Sequence, residues 1–203
     1  MFTHYRTQAF ILKRINRGEA DQLLVVYTKD FGRIEVMAKG VRKVASKLRP
    51  AVEFPAIIDL EFIQGKTCKT LTDAVTLIPL KHSRRDPDKR EVITRIAAMA
   101  EILIKDQQSD SNVWDLVCSA AVFAETADRR NSDAIYQYFV WHLFESLGWR
   151  PEFGADFAGA ACRSLVRLFR DSDIARSAKM RLTGSQVNNL DRIARDYLAL
   201  ITK

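Results

Sequence analysis

The chain has 203 residues, of which 32 are Lys or Arg and 25 are Asp or Glu, so its formal net charge is +7. A hydrophobic content of 47% is sufficient for a packed core and excludes a disordered or fibrous chain. No apolar run approaches the roughly 18 residues of a membrane span, and the polar start has no signal-peptide stretch, so we expect a cytoplasmic protein with no membrane contact.

The first part of the chain predicts five β-strands, because short segments rich in Val, Ile, Phe, Tyr and Thr alternate with turn signals. The predicted strands are Tyr5–Lys13, Gln22–Thr28, Arg33–Ala38, Ala56–Gln64 and Thr67–Ala74. Their longest connection follows the third strand. Five short strands in this arrangement indicate a small Greek-key β-barrel of the OB type.

After Pro79 the apolar residues recur at helical spacing. Asp86 and Pro87 form an N-cap followed by proline at the first helical position, which predicts a helix over 88–106. Further helices are predicted from Ser111 or Asn112, from Ser132 or Asp133 to Gly148, over Ala155–Arg170, and after the capping-box pattern Thr183–Gln186. We therefore expect an α+β protein of two domains: an OB-type barrel at 1–79 and an all-α helical bundle at 80–203, with a linker at about 80–87.

The positive charge is concentrated in the barrel part. Residues 1–90 contain 18 Lys or Arg and 10 Asp or Glu, whereas the rest of the chain is nearly neutral. Eleven residues in the longest connection contain no acid and five cations, namely Lys39, Arg42, Lys43, Lys47 and Arg49. Arg14 and Arg17 add charge nearby in the sequence. This distribution favours a polyanionic partner for the barrel.

OB-type barrels hold single strands of nucleic acid through Lys and Arg contacts to phosphates and through bases stacked on aromatic rings. Most aromatic residues of the strands are expected in the core. Phe31 lies in the turn Lys29-Asp30-Phe31-Gly32, where its ring is expected to be exposed. We therefore include Phe31 with the seven cations as a candidate DNA-binding residue.

Sequence signals for catalysis are absent. The chain has no phosphate-binding glycine loop, nucleophile elbow or zinc-protease motif. Neither the three histidines nor the three cysteines have partners at metal-ligand spacing. We expect no enzyme activity, no cofactor and no metal site.

The sequence resembles the bacterial recombination mediator RecO family. The resemblance is carried in order by Gly18-Glu19-Ala20-Asp21-Gln22-Leu23, Thr28–Gly32, Ala38-Lys39-Gly40-Val41-Arg42-Lys43, Ser46-Lys47-Leu48, Thr70–Ala74, and Phe144–Pro151 in the helical part. Many members of the family have a four-cysteine zinc element after the last motif, where this chain has Cys162 alone.

The resemblance implies a non-catalytic DNA repair and recombination protein. Such proteins bind single- and double-stranded DNA, anneal complementary strands and, with RecR, help to load RecA on DNA coated by single-strand-binding protein, whose acidic C-terminal tail many of them bind. The basic motif of the family falls on Lys39, Arg42 and Lys43 of this chain.

Two other functions remain open at this point. The basic barrel could serve an adaptor that binds an acidic protein tail and touches DNA only incidentally. A metal-dependent nuclease using Glu19, Asp21 or Asp73 has less support, because these acids lack a second spaced cluster.

Overall fold

A computed structural model describes residues 3–105, 107–150 and 159–201. The first part of the chain forms five strands. They are β1 (His4–Arg17), β2 (Asp21–Thr28), β3 (Gly32–Ala38), β4 (Ala56–Gln64) and β5 (Lys69–Pro79). The predicted β4 is confirmed at both ends and β1 extends beyond both of its predicted limits, whereas β5 begins two residues later and ends five residues later than predicted.

The five strands close into a barrel in the order β1-β2-β3-β5-β4. All neighbouring pairs are antiparallel except β3 and β5, which pair in parallel over only two positions, Val36 with Lys69 and Met37 with Thr70. Alternate residues of the strands fill the interior, including Ile11, Leu24 and Ile58. The predicted OB-type barrel is thus confirmed, with its closure resting on the short β3–β5 contact.

Most of β5 has a strand partner on one side. Within the described residues it pairs with β4 from Lys69 to Pro79, while its pairing with β3 ends at Thr70. Three apolar side chains in this stretch are exposed, namely Val75, Leu77 and Ile78. No charged residue lies between Ala74 and Leu80.

The second part of the chain is helical, as predicted. Its helices are α1 (Lys81–Arg85), α2 (Pro87–Leu103), α3 (Ser111–Thr126), α4 (Ser132–Ser146), α5 (Ala160–Arg170), α6 (Ile174–Ser177) and α7 (Gly184–Ile201). The start of the predicted Ala155–Arg170 helix falls partly outside the described residues. No helix in the described ranges is long and apolar enough to span a bilayer.

The predicted caps before α2 and α7 are confirmed by their hydrogen bonds, whereas α2 ends at Leu103, before the predicted residue 106. The side chain of Asp86 accepts from the backbone N–H of Asp88 at the start of α2. Before α7, Thr183 and Gln186 each accept a backbone hydrogen bond from the other, which completes the predicted capping box. Gly148, at φ 82°, follows the end of α4.

The segment expected as a linker, at about 80–87, contains a short helix. Residues 81–85 form α1, and the side chain of Ser83 is fully buried. The buried Glu125 carboxylate of α3 accepts hydrogen bonds from the backbone N–H groups of His82 and Ser83 and from the Ser83 hydroxyl. These bonds satisfy N–H donors that have no partner within the first turn of α1, and they fix the connection between barrel and helices.

The outer face of the barrel shares a hydrophobic cluster with the helices. Phe10, Val25, Tyr27 and Ile57 of the strands belong to the same buried cluster as the core residues of α2, α3 and α4. The barrel also lies close to the segment before α3 at Gly32, because a Cβ added there would lie 2.6 Å from the carbonyl oxygen of Gln108. Its φ of 62° also favours glycine at the β2–β3 turn.

Candidate nucleic-acid interface

The loop after β3 is anchored to the turn between β1 and β2. The backbone N–H of Gly40 donates to the carboxylate of Asp21 at 2.7 Å. The backbone N–H of Arg42 donates to the carbonyl of Ala20, and its guanidinium donates to the carbonyl of Gly18, each at 2.9 Å. This anchoring holds two sequence-predicted basic regions, around residues 14–17 and 39–49, against each other.

All five cations predicted in this loop are exposed: Lys39, Arg42, Lys43, Lys47 and Arg49. Within the loop, the backbone N–H of Lys43 donates to the carbonyl of Gly40, and that of Ser46 donates to the carbonyl of Lys43. The loop therefore contains two successive turns and presents its side chains from a hydrogen-bonded backbone.

Three of the predicted cations converge on one groove. A depression of about 560 Å³ is lined by Arg14 of β1 and by Arg42 and Arg49 of the loop, together with Gln22, Val41, Pro50, Val52 and Glu53. We call this depression the arginine groove. Guanidinium groups can donate two parallel hydrogen bonds to a phosphate or carboxylate, so their convergence makes a site for an anion.

The arginine groove is supported by residues from the helical part. Arg84 of α1 donates to the backbone carbonyl of Glu53 at 2.8 Å and lies 3.4 Å from its carboxylate. Arg90 of α2 in turn donates to the carbonyl of Ser83. Arg84 lies in the segment expected as a linker, and this contact was not predicted from the sequence, although the run Lys81–Arg85 is itself a basic cluster.

Partial burial of its guanidinium in the groove lowers the pKa of Arg14. The carboxylate of Glu53 opposes this shift, whereas the positive charges of Arg84 and Arg90 add to it. A group whose charged form is disfavoured by burial and by like charges gains when an anion enters beside it. The electrostatics of the groove thus favour a negatively charged ligand.

The other predicted residues do not line this groove. Arg17 is exposed at the end of β1, beside the turn that anchors the loop. Phe31 follows the opposite end of β2, and its ring packs edge-on against Tyr5 and Phe62 at centroid distances of 5.6 and 5.5 Å. Phe31 is half-buried, so the expected exposed ring instead covers one end of the barrel core.

Two of the three acids considered for nuclease chemistry, Asp21 and Asp73, have structural partners. Asp21 accepts from Gly40 in the loop anchor, and Asp73 accepts from the backbone N–H of Ala74. Within the described residues, no group of three His, Cys, Asp or Glu side chains is placed to hold a metal ion. His142 hydrogen-bonds to the carbonyl of Phe169, and burial raises the pKa of the Cys118 thiol to about 12.

Comparison with known proteins confirms the resemblance found in the sequence. Residues 1–79 match the family profile described as "Recombination protein O N terminal". The chain is also similar to proteins named "DNA repair protein RecO". That from Dehalococcoides mccartyi is 26% identical over 148 residues, which cover 73% of this chain and 58% of the relative. That from a Nocardioides species is 27% identical over 150 residues, covering 73% and 62%.

A third relative of the same name, from a Roseiflexus species, is 26% identical over 164 residues, which cover 80% of this chain and 55% of the relative. The similarity therefore continues past the barrel into the helices. In each of these three comparisons, the matched region spans less than two thirds of the relative's length.

Proposed function

We propose that this chain, whose barrel carries the sequence profile of the RecO proteins, is a non-catalytic DNA repair and recombination protein that binds single- and double-stranded DNA. The backbone phosphates are held by the arginine groove and by the lysines of the adjoining loop. Contacts of this kind are electrostatic and do not read base sequence.

The observation that carries this proposal is the convergence of Arg14, Arg42 and Arg49 from two distant segments on one depression. Exposed Lys43 and Lys47 extend the positive surface beyond it. Because such a surface screens the charge of two polyanions at once, it lowers the repulsion between complementary strands. Strand annealing follows as part of the proposal.

The similarity to RecO proteins supports further partners. We propose that the chain acts with RecR to load RecA on single-stranded DNA, and that it binds the acidic C-terminal tail of the single-strand-binding protein. Neither step requires covalent chemistry by this chain. In the adaptor alternative, the same groove would hold a carboxylate tail in place of a phosphate chain.

Salt dependence tests the phosphate contacts directly. We expect the variant K43Q/K47Q/R49Q to bind a fluorescein-labelled oligo(dT) more weakly and to flatten the plot of log affinity against log salt. The slope changes by about 0.7 for each lost contact with a single strand, hence by about 2 for three contacts. Fluorescence anisotropy over a series of NaCl concentrations measures it.

The matched control removes the same charge elsewhere. Lys179, Arg181 and Arg192 are exposed in the helical part, so K179Q/R181Q/R192Q should leave the slope close to that of the native chain. Equal slopes for all three proteins would refute the assignment. Titration with an acidic tail peptide at the same salt, giving tighter binding than the oligonucleotide, would favour the adaptor.

A further inference from the structure

One apolar side chain stands at the apex of the basic loop. Val44 is 92% exposed, whereas the next most exposed large hydrophobic residue in the described part of the chain, Leu200, is 57% exposed. It follows Lys43, and Lys47 is three residues further on. An apolar side chain that lies between two lysines in the sequence and is almost fully exposed gains nothing from the fold of this chain.

The local backbone makes this placement unusual. Val44 and Ala45 occupy the two central positions of the turn closed by the hydrogen bond from Ser46 to Lys43. Gly, Pro, Asn, Asp and Ser dominate such positions, and β-branched residues favour strands. A residue that departs from the local rule without a stabilising contact in the fold is a candidate for function.

The apex is also held in place. Val41, three residues before it, is 1% exposed, and Arg42 is tied by backbone and side chain to the β1–β2 turn. The loop therefore presents Val44 from an anchored base at a fixed position beside the arginine groove. Little conformational freedom remains to be lost when the side chain contacts a ligand.

We propose that Val44 contacts the bases of a bound single strand, inserting its side chain between neighbouring bases while Lys43 and Lys47 hold the flanking phosphates. This inference rests on the proposed function and adds to it a contact that is independent of salt. Apolar side chains inserted between base steps unstack them in proteins that bind the minor groove of duplex DNA. Since unpaired bases unstack more readily than a duplex opens, Val44 favours single strands over duplex DNA.

The test uses the full chain with the variants V44S and V44L. We expect V44S to bind oligo(dT) about five- to tenfold more weakly with an unchanged salt slope, because only an apolar contact is lost. V44L retains an apolar apex and should restore most of the affinity. An oligonucleotide with one 2-aminopurine should brighten with the native chain, as its stacking is broken, and should brighten less with V44S.

Val75 provides the control, since it is 53% exposed on β5 and lies outside the basic loop. V75S should bind like the native chain. Equal affinity of V44S and the native chain overturns this inference while leaving the phosphate-binding proposal intact. A native chain that binds no oligonucleotide at low salt overturns both, so the two failures are distinguishable.

Discussion

Glu53 places a negative charge among the arginines of the groove. Among the described residues that line the groove, Glu53 alone is acidic. Its carboxylate lies 3.4 Å from the guanidinium of Arg84. A carboxylate offers the same pair of acceptor oxygens as a phosphate, so it partly neutralises the site that we assign to DNA. Glu53 therefore reduces the repulsion between the arginines of the groove, and it also lowers the affinity of the groove for an anionic ligand.

We expect E53Q to bind oligo(dT) about threefold more tightly than the native chain, because it removes a single, partly exposed negative charge that repels the phosphates. The gain should shrink as salt rises. Anisotropy titrations at low and high NaCl measure both effects. Glu35 is exposed on β3 and does not line the groove, so E35Q is the control. Weaker binding by E53Q would show instead that the carboxylate is needed to orient Arg84.

Individual elements were predictable where the signals are local. The bounds of β4 and the caps before α2 and α7 follow from residues within a few positions of each end. The fold of α1 was not predictable, because its buried partner Glu125 is more than 40 residues away. Arg14, Arg42 and Arg49 were named from charge alone, but that they share one groove was not predictable, since its walls come from segments that only the closed barrel brings together.

The hydrogen bonds from α1 to Glu125 of α3 should contribute to the stability of the chain. Glu125→Ala leaves the buried N–H groups of His82 and Ser83 without their acceptor, so the free energy of unfolding should fall by about 2–3 kcal/mol. Urea denaturation followed by circular dichroism measures the change. Glu91→Ala, an exposed change on α2, should have an effect below about 0.5 kcal/mol. Similar free energies of unfolding for both variants would contradict this stabilising role of Glu125.

The chain changes from strands to helices after residue 79, but residues of both parts contribute to one hydrophobic core. We propose that 1–79 and 80–203 are two domains that depend on each other for stability, because Phe10, Val25 and Tyr27 of the barrel are buried in the helical cluster. A fragment of residues 1–79 should unfold at lower temperature than the full chain and bind a dye that reports exposed apolar surface. An equally stable fragment would show that the two parts fold independently.

Tyr27 reports on this interface through its pKa. Its hydroxyl donates to the carbonyl of Asp110, and burial raises its pKa to about 12. In the fragment the phenol should titrate near 10, as in an unfolded chain. Because the folded full chain holds this proton more tightly, its contribution to stability is complete below about pH 10 and is lost towards pH 12. Spectrophotometric titration, with Y27F to assign the signal, measures the difference.

The uncharged part of β5 affects whether copies of the chain associate with one another. An open strand edge with exposed Val75, Leu77 and Ile78 and no lysine to interrupt it can recruit the same edge of a neighbour. The net charge of +7 keeps such neighbours apart. Added electrolyte weakens that repulsion, so we expect high salt to promote edge-to-edge association of the protein under the same conditions that release the proposed polynucleotide ligand.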